Sequence, residues 1–314
     1  MKKKLLLLAV IASGTLFSCA FEEVLESTPS TPTSKTEVMF ASSILQSNST
    51  YSRIIGETWE PDDAIGTYML EKKNNSVVDG KSNIRYVTDR GGFIGSFRAK
   101  DNSMFFPENG REVRFMSYYP YNESIKGAIY KIDVTNQIPQ SKLDFLYSFN
   151  TSATYNKNIE TERVPMKFNH QLAKIFINVK NGAGLQGVDL MHMKVYLSGL
   201  STNADFNLLT GKISNFSKSS PIYPSVLIAG GGNVYSAEAI VIPEPNISNA
   251  QIVFDMNNGN KNKKSDVYIW NLEKSLEKGK RHTYNVTISN TGMSVKPTVQ
   301  NWHIVSTDET VTIL

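Results

Sequence analysis

The sequence predicts an all-β protein whose folded part consists of two tandem β-sandwich domains. Aliphatic residues alternate with mostly polar ones in stretches such as Lys174–Lys180 and Tyr284–Ile288, and this period of two is typical of half-buried strands. Turn-forming pairs such as Asn109-Gly110 and Lys278-Gly279 separate these stretches, as expected between strands. No window keeps helical spacing for more than a few turns, so short strands packed as sandwiches or barrels are favoured.

The length and one polar interruption predict where the two domains lie. The folded part runs for about 275 residues, which suits two sandwiches better than one. Residues Asn156–Arg163 are mostly polar and separate two strand-rich halves. We therefore expect an N-terminal domain over residues 37–163 and a C-terminal domain over residues 164–314.

The first residues predict a lipoprotein signal peptide over residues 1–18. Three lysines, Lys2 to Lys4, precede an apolar run from Leu5 to Ala12, and the small Ser18 stands directly before Cys19. This order of a charged, an apolar and a small-residue region is typical of an export signal. The apolar run is shorter than the roughly 20 residues that a membrane-spanning helix needs. We therefore expect the mature protein outside the cytoplasm.

Cys19 is predicted to carry the lipid that anchors the mature protein. It is the only cysteine of the chain, so no second cysteine is available for an internal disulfide. Its place at the end of the signal indicates lipidation. Residues Glu26–Thr36 are rich in Ser, Thr and Pro and have little to bury, so we expect residues 19–36 to form a flexible, lipidated tether.

The charge pattern of the mature chain predicts no nucleic-acid partner. Removing residues 1–18 takes away three lysines and no acidic residue, which lowers the formal charge from +4 to +1. Most of the apparent basicity therefore belongs to the signal peptide. The remaining sequence has no basic run or arginine-rich stripe with interleaved aromatic residues, the pattern that a nucleic-acid surface needs.

The sequence shows no pattern that predicts an enzyme, a metal site or a cofactor. Gly182–Gly187 match the spacing G-x-G-x-x-G, but a dinucleotide site needs a helix to begin there, and an alternating stretch follows instead. The four histidines stand in separate stretches, without metal-ligand spacing. Asp62 and Asp63 are adjacent, so in an extended segment they point apart. We expect no catalytic residues, no metal and no cofactor.

Several motifs together resemble those of the fimbrillin-like proteins of Bacteroidales, pilins of the type V pilus that are made as lipoprotein precursors. Trp59–Gly66 resembles the family's W-x-x-x-D-x-I-G near the start of the first domain. Phe115–Pro120 resembles its aromatic strand end, and Phe168–Lys174 resembles the opening of its second domain. Lys278–Val286 and the strand around Trp302 agree as well, so the resemblance covers nearly the whole mature chain.

The resemblance implies a fold and an assembly mechanism. Members have two sandwich domains of transthyretin-like topology, and an extracellular arginine-specific protease cuts the loop after the first strand. The lipidated N-terminal piece then leaves, and the vacated groove accepts a strand from another subunit. Here the implied leaving strand contains Val38 and Phe40. The implied cut lies between Arg53 and Ile54, in a polar loop whose backbone a protease could reach.

The implied donor strand is the segment that follows Trp302. Its Ile304, Val311 and Ile313 are the side chains expected to fill pockets in a neighbouring subunit, while main-chain hydrogen bonds join the two strands. Simpler interpretations stay open for both implied sites. Arg53 could be an ordinary surface arginine, and the last segment could be the final strand of its own domain.

These observations predict a structural or accessory subunit of a cell-surface fimbria, anchored by lipid to the outer membrane. Its partners would be other pilin subunits, either copies or paralogues, and it could also contact a ligand on a host or bacterial surface. The alternative is a surface lipoprotein that binds a glycan or host ligand without polymerising. Aromatic side chains clustered on one sandwich face would favour that alternative, because sugar rings stack on aromatic planes.

Overall fold

The computed structural model describes residues 35–45, 58–125, 127–153, 163–186, 188–218, 220–230, 234–256, 266–273 and 275–302. Within these ranges the regular structure is strands and two short 3-10 helices, Gln140–Lys142 and Leu190–His192, which confirms the all-β prediction. No helix in these ranges is long and apolar enough to cross a membrane.

Eighteen strands follow one another along the described part of the chain. They are β1 (Phe40–Ile44), β2 (Ala64–Glu71), β3 (Ile84–Arg90), β4 (Gly95–Ala99), β5 (Val113–Tyr119), β6 (Ile129–Asp133), β7 (Leu146–Ala153), β8 (Val164–His170), β9 (Ala173–Asn181), β10 (Lys194–Ser198), β11 (Asn203–Asn207), β12 (Lys212–Ser217), β13 (Ser225–Gly230), β14 (Val234–Val241), β15 (Gln251–Asp255), β16 (Val267–Asn271), β17 (Lys280–Ser289) and β18 (Gly292–Asn301).

The first sheet closes on itself around its own core. Its strand order is β1-β4-β3-β2-β5-β7-β8, and the parallel pairing of β8 with β1 completes a closed barrel. The other neighbouring pairs of this sheet are antiparallel. Large buried side chains fill the interior, among them Phe40, Trp59, Tyr86, Phe115 and Phe168. β1 lies between β4 and β8 and closes the sheet. Neither of these two strands therefore presents an unpaired edge on the side that faces β1.

Three further sheets surround a second core. They have the orders β13-β14-β9-β17-β18, β10-β15-β16 and β12-β11-β6. β6 precedes residue 163 in the chain but pairs with β11, so the two halves of the sequence share this last sheet. The second core contains Leu172, Ile177, Leu197, Phe206 and Phe254. The predicted boundary between residues 163 and 164 and the predicted transthyretin-like sandwiches stay predictions.

The strand alternation predicted from the sequence is clearest in β8 and β9. In β8 the buried residues Val164, Met166, Phe168 and His170 alternate with exposed ones. In β9 every second residue from Ala173 to Val179 is buried. The pleat sends successive side chains to opposite faces, so one face of each strand packs on a core and the other does not. A turn, and not a helix, follows β9 at Gly182.

His282 on β17 makes stability depend on pH. Its ring is 3% exposed, and its Nε2 accepts a hydrogen bond from the Glu277 backbone N–H at 3.0 Å. Burial lowers the pKa of His282 below its ordinary 6.5, against a smaller opposing effect of the Glu277 carboxylate. The unfolded chain therefore binds the proton more readily than the folded one. The contribution of the neutral His282 to the free energy of unfolding is complete above pH 6.5, and it is lost as the pH falls through the folded-state pKa of His282.

We expect His282→Gln to reduce this loss of stability at low pH, because the substitution removes the titrating ring. Urea unfolding at a series of pH values measures it as a shallower dependence of the unfolding free energy on pH below 6.5. His192→Gln is the matched control, since it makes the same substitution at an exposed histidine. If the unfolding free energy of His282→Gln depended on pH as steeply as that of the wild type, His282 would not be the group responsible.

Candidate functional site at the first strand

The backbone of β1 is held between two strands that are distant in the chain. β1 pairs with β4 on one side and with β8 on the other. Just before the strand, the Val38 N–H donates to the Met104 carbonyl at 2.9 Å. Just after it, the Leu45 N–H donates to the Phe168 carbonyl at 2.7 Å. If β1 left, unpaired N–H and C=O groups would remain along both neighbouring strands, which is a template for a new strand.

Alternate side chains of the first strand point into the core. The inward set is Val38, Phe40, Ser42 and Ile44. Phe40 is fully buried, and its ring meets those of Tyr86 and Phe115 edge to face at centroid distances of 4.8 and 5.1 Å. Such a side chain contributes about 1.5–3 kcal/mol by burial, and each aromatic pair adds roughly 0.5–1.5 kcal/mol. Phe40 is therefore the main apolar anchor of this strand.

The Tyr86 hydroxyl ties the backbone before β1 to the core. It donates a hydrogen bond to the Val38 carbonyl at 3.0 Å, in a buried position. Burial raises the pKa of the Tyr86 phenol well above its usual range, so the hydroxyl keeps its proton and remains a donor at any physiological pH. Loss of the first strand would leave this buried donor without its acceptor, which adds to the cost of an empty groove.

Trp59 packs across the inner face of the strand. Its indole is 2% exposed, and the Nε1–H donates to the Ser42 carbonyl at 2.8 Å. The ring meets Phe97, Tyr119 and Phe168 edge to face at 5.0, 5.5 and 5.2 Å. In the sequence, Trp59 is marked only as the first residue of the W-x-x-x-D-x-I-G motif. Its contact with Ser42 has no signal in the sequence, because it depends on how the strands are paired.

The rest of the W-x-x-x-D-x-I-G motif builds the turn and the strand that carry Trp59. The Asp63 carboxylate accepts hydrogen bonds from the Glu60 backbone N–H at 2.8 Å and from the Tyr119 hydroxyl at 3.0 Å. Burial raises the pKa of Asp63, and these two bonds partly offset the rise. Gly66 leaves room for the Tyr118 ring, since a Cβ there would stand 2.3 Å from its Cε1 atom. The motif residues thus act through packing and hydrogen bonding.

A cavity lies where the first strand ends and β18 ends. It has a volume of about 580 Å³ and is lined by Leu45, Phe149, Lys278 and Trp302, among others. The Trp302 ring stacks on His170 at 4.7 Å with an interplanar angle of 13°. The Trp302 N–H donates to the carbonyl of Gly279, which also lines the cavity, at 2.9 Å. Leu45, which directly follows β1, and Trp302, which directly follows β18, thus line the same cavity.

The structure describes only some of the predicted site residues. Phe40 is the first residue of β1, Val38 lies two residues before it, and both are buried. The other predicted positions lie outside the described residues: Cys19, Arg53, Ile54, Ile304, Val311 and Ile313. Lipidation, cleavage and strand donation at these positions therefore stay proposals.

The described residues show no cluster suited to binding a metal. Within the described ranges, no three side chains from His, Cys, Asp and Glu stand close enough together to hold an ion. The half-buried Asp144 and the buried His170 form a pair at 2.7 Å between Oδ1 and Nδ1. The Trp302 ring stacks on the His170 ring of this pair. The geometry of the pair fits a role in fixing the His170 ring for stacking.

Comparison with known proteins gives a consistent set of relatives. Residues 52–302 match the family described as fimbrillin-like. A curated protein of Bacteroides uniformis, named as a candidate fimbrium subunit, Fim1C, is 29% identical in an alignment of 310 residues that covers 96% of each chain. A solved candidate cell adhesion protein from Bacteroides uniformis is 27% identical, with a TM-score of 0.67 over 85% of this chain and 98% of that one. A solved candidate cell adhesion protein from Bacteroides ovatus, 22% identical, has a TM-score of 0.64 over 86% and 99% of the two chains, which shows a shared fold.

Proposed function

The chain belongs to the fimbrillin-like family, and from this premise we propose that it is a subunit of a cell-surface fimbria that accepts a β-strand from another subunit in place of its own first strand. Its fimbrial and adhesion relatives support a location at the cell surface. The export signal and Cys19 support delivery as a lipoprotein anchored in the outer membrane. The tandem transthyretin-like architecture is part of the same proposal.

The observation that carries the proposal is the placement of β1. In the closed sheet β1 pairs with β4 and β8 and not with β2, the strand that follows it in the chain. A cut anywhere between Leu45 and Trp59 would therefore leave β1 attached only by non-covalent contacts. Arg53 stands in this interval, and we propose the bond between Arg53 and Ile54 as the processing site.

An emptied first-strand groove would be strongly adhesive. Its two edges would present unpaired backbone groups, and its floor would expose the rings that now surround Phe40. A donated strand repairs both deficits at once, because it restores the main-chain ladder and refills the pockets with alternate side chains. This combination favours tight, ordered assembly over a ligand-binding role for the groove.

The donor segment of this chain is proposed to lie after Trp302. That residue is pinned by its ring stack and its backbone hydrogen bond, so the residues that follow start from a fixed point. Ile304, Val311 and Ile313 would supply the side chains that fill a neighbour's pockets, as in other strand-addition complexes.

N-terminal sequencing and intact mass of shed and cell-retained protein test the proposal. For the wild type we expect a shed form that begins at Ile54 and runs in high-mass assemblies. Arg53→Gln should instead keep the lipidated start at Cys19 and lose the assemblies, because the first strand stays covalently attached. Arg98→Gln is the control, since Arg98 is an exposed arginine on β4. A wild type that occurs solely as an acylated, uncut monomer would favour the non-polymerising, glycan-binding or host-binding alternative.

A further inference from the structure

The first strand carries one small inward residue among large neighbours. Ser42 is completely buried and lies opposite Gly95 of β4 and Met166 of β8. Two small residues therefore face each other at this level of the closed sheet. The Trp59 indole lies against both of them, as its hydrogen bond to Ser42 and its closeness to Gly95 show.

The space at this level is full. A Cβ built on Gly95 would stand 2.6 Å from Trp59 Cδ1 and 2.8 Å from Phe97 Cε2, which is closer than packed carbon atoms approach. Three aromatic rings hold the indole on its other sides at 5.0 to 5.5 Å. A side chain much larger than serine at position 42 would have to displace a ring that cannot move freely, and overpacking of that kind is destabilising.

We propose that Trp59 sets the register and the residue size of the strand that this groove accepts, and that the accepted strand comes from a different subunit rather than from residues 302–314 of a second copy. This inference rests on the proposed function, because it requires the first-strand groove to open and be refilled. It adds to that function the chemical pattern of the partner strand.

The register follows from one hydrogen bond and one steric limit. The Trp59 Nε1–H needs a carbonyl where the Ser42 carbonyl now stands. A shift of the incoming strand by one residue turns its apolar side chains outward. A shift by two residues brings a side chain such as Phe40 or Ile44 under the indole. The pocket selects size and not a hydroxyl group, since the buried Ser42 Oγ makes no hydrogen bond within the described part of the chain.

The groove therefore accepts a strand whose four inward residues, taken at every second position, are apolar, apolar, small and apolar. Residues 302–314 read WHIVSTDETVTIL. Taken from any start and in either direction, alternate residues of this segment never give that order. The start at Trp302 comes nearest, but it places Asp308 in the last pocket, where an unpaired carboxylate is costly. Trp302 is moreover already buried in its own subunit at 4% exposure.

The same segment can still be a donor, but for a groove with different pockets. Its apolar residues at the far end, Val311 and Ile313, are followed by Leu314 and preceded by Glu309 and Asp308. A groove that accepts them needs a polar or charged position where this one has Trp59. Acceptor and donor specificities of this chain therefore differ, which favours alternation of unlike subunits over growth from identical copies.

Strand exchange in a nicked protein tests the inference. A specific protease sequence is inserted among residues 46–52 of the mature chain, so that one cut leaves the N-terminal piece held by contacts alone. Competing peptides are Lys35–Leu45, the same peptide with Ser42→Leu, Ser42→Ala or Ser43→Leu, and the peptide of residues 302–314. Release of the N-terminal piece is followed by size-exclusion chromatography with mass detection. Ser43 is the matched control, because it is half-buried and points away from the core.

The wild-type, Ser42→Ala and Ser43→Leu peptides should release the N-terminal piece at similar concentrations. The Ser42→Leu peptide should need at least about tenfold more, which corresponds to about 1.4 kcal/mol, and the peptide of residues 302–314 should release none. In a nicked Trp59→Leu protein, the penalty on the Ser42→Leu peptide should shrink, because the indole no longer fills the space. A structural role of Trp59 unrelated to residue 42 would leave that penalty unchanged.

Two results would overturn the inference: equal competition by the Ser42→Leu peptide, or release by residues 302–314 as effective as by the wild-type peptide. Failure of the wild-type peptide itself is a different outcome. It would show that the groove does not take up a strand at all, and so would contradict the proposed function before the question of partner arises.

Discussion

Replacement of Phe40 by alanine is expected to lower the free energy of unfolding by about 3–5 kcal/mol. The ring is fully buried and contacts two other aromatic rings edge to face. It also lies on a short strand in a closed sheet, where neighbours on both sides limit how far the cavity can collapse. The cost should therefore fall in the upper part of the range for large-to-small substitutions.

Urea unfolding followed by tryptophan fluorescence measures this loss, and Trp59 provides a reporter in the same core. Ser43→Ala is the control, because its side chain faces away from that core, and it should stay within about 0.5 kcal/mol of the wild type. A loss for Phe40→Ala no larger than that of the control would show that the first strand is not anchored by its inward side chains, and the proposed groove would lose its main pocket.

Replacement of Trp59 by alanine is expected to have an effect of similar size, about 3–5 kcal/mol. The substitution removes three aromatic contacts and the hydrogen bond to the Ser42 carbonyl. The Ser42 carbonyl would then lose a buried hydrogen-bond donor, and this loss adds to the cost of the lost aromatic packing. Hydrogen exchange of the β1 amides should accelerate more than exchange in β9, because the indole holds β1 directly.

Trp270→Ala provides the comparison for Trp59→Ala. Trp270 stands on β16 at the border of the second core and is half-buried, so its removal should cost clearly less. Equal losses for the two variants would indicate a general effect of tryptophan burial and not a specific role of Trp59 at the first strand.

Much of the strand pattern could be predicted from the sequence, because burial on one face leaves a period of two. The alternation of β8 and β9 is visible in the residues themselves, and so is that of Val38 and Phe40 before and in β1. Which strands pair with each other could not be predicted in this way. The parallel pairing of β1 with β8 and the antiparallel pairing of β6 with β11 join residues that are at least 70 positions apart, and periodicity carries no information about distant partners.

The site was predictable in outline and not in its contacts. The resemblance to a family identified the first strand and the motif that begins at Trp59. The match of Ser42 with Gly95 under the indole depends on strand register, which no local pattern in the sequence specifies. Lipidation at Cys19 and cleavage after Arg53 stay predictions, since both positions lie outside the described residues.

In the proposed mechanism the first strand must leave before the subunit can assemble, and a reversible disulfide that holds this strand in place tests that requirement. Ala41 of β1 lies directly opposite Ser96 of β4, and both side chains are half-buried on the outer side. Opposite residues of an antiparallel pair have Cα atoms about 4.5–5.5 Å apart, which suits a disulfide. Cys19 is the only native cysteine, so few unintended pairs can form.

The measurement is the fraction of the Ala41→Cys, Ser96→Cys protein found in high-mass assemblies on cells, with and without a reducing agent. We expect the oxidised protein to be cut after Arg53 but to keep its N-terminal piece through the disulfide and to stay monomeric. Reduction should restore assembly to the level of the single variant Ala41→Cys. Assemblies of normal abundance from the oxidised protein would rule out the strand-replacement mechanism, because subunits would then join while the first strand still occupies its groove.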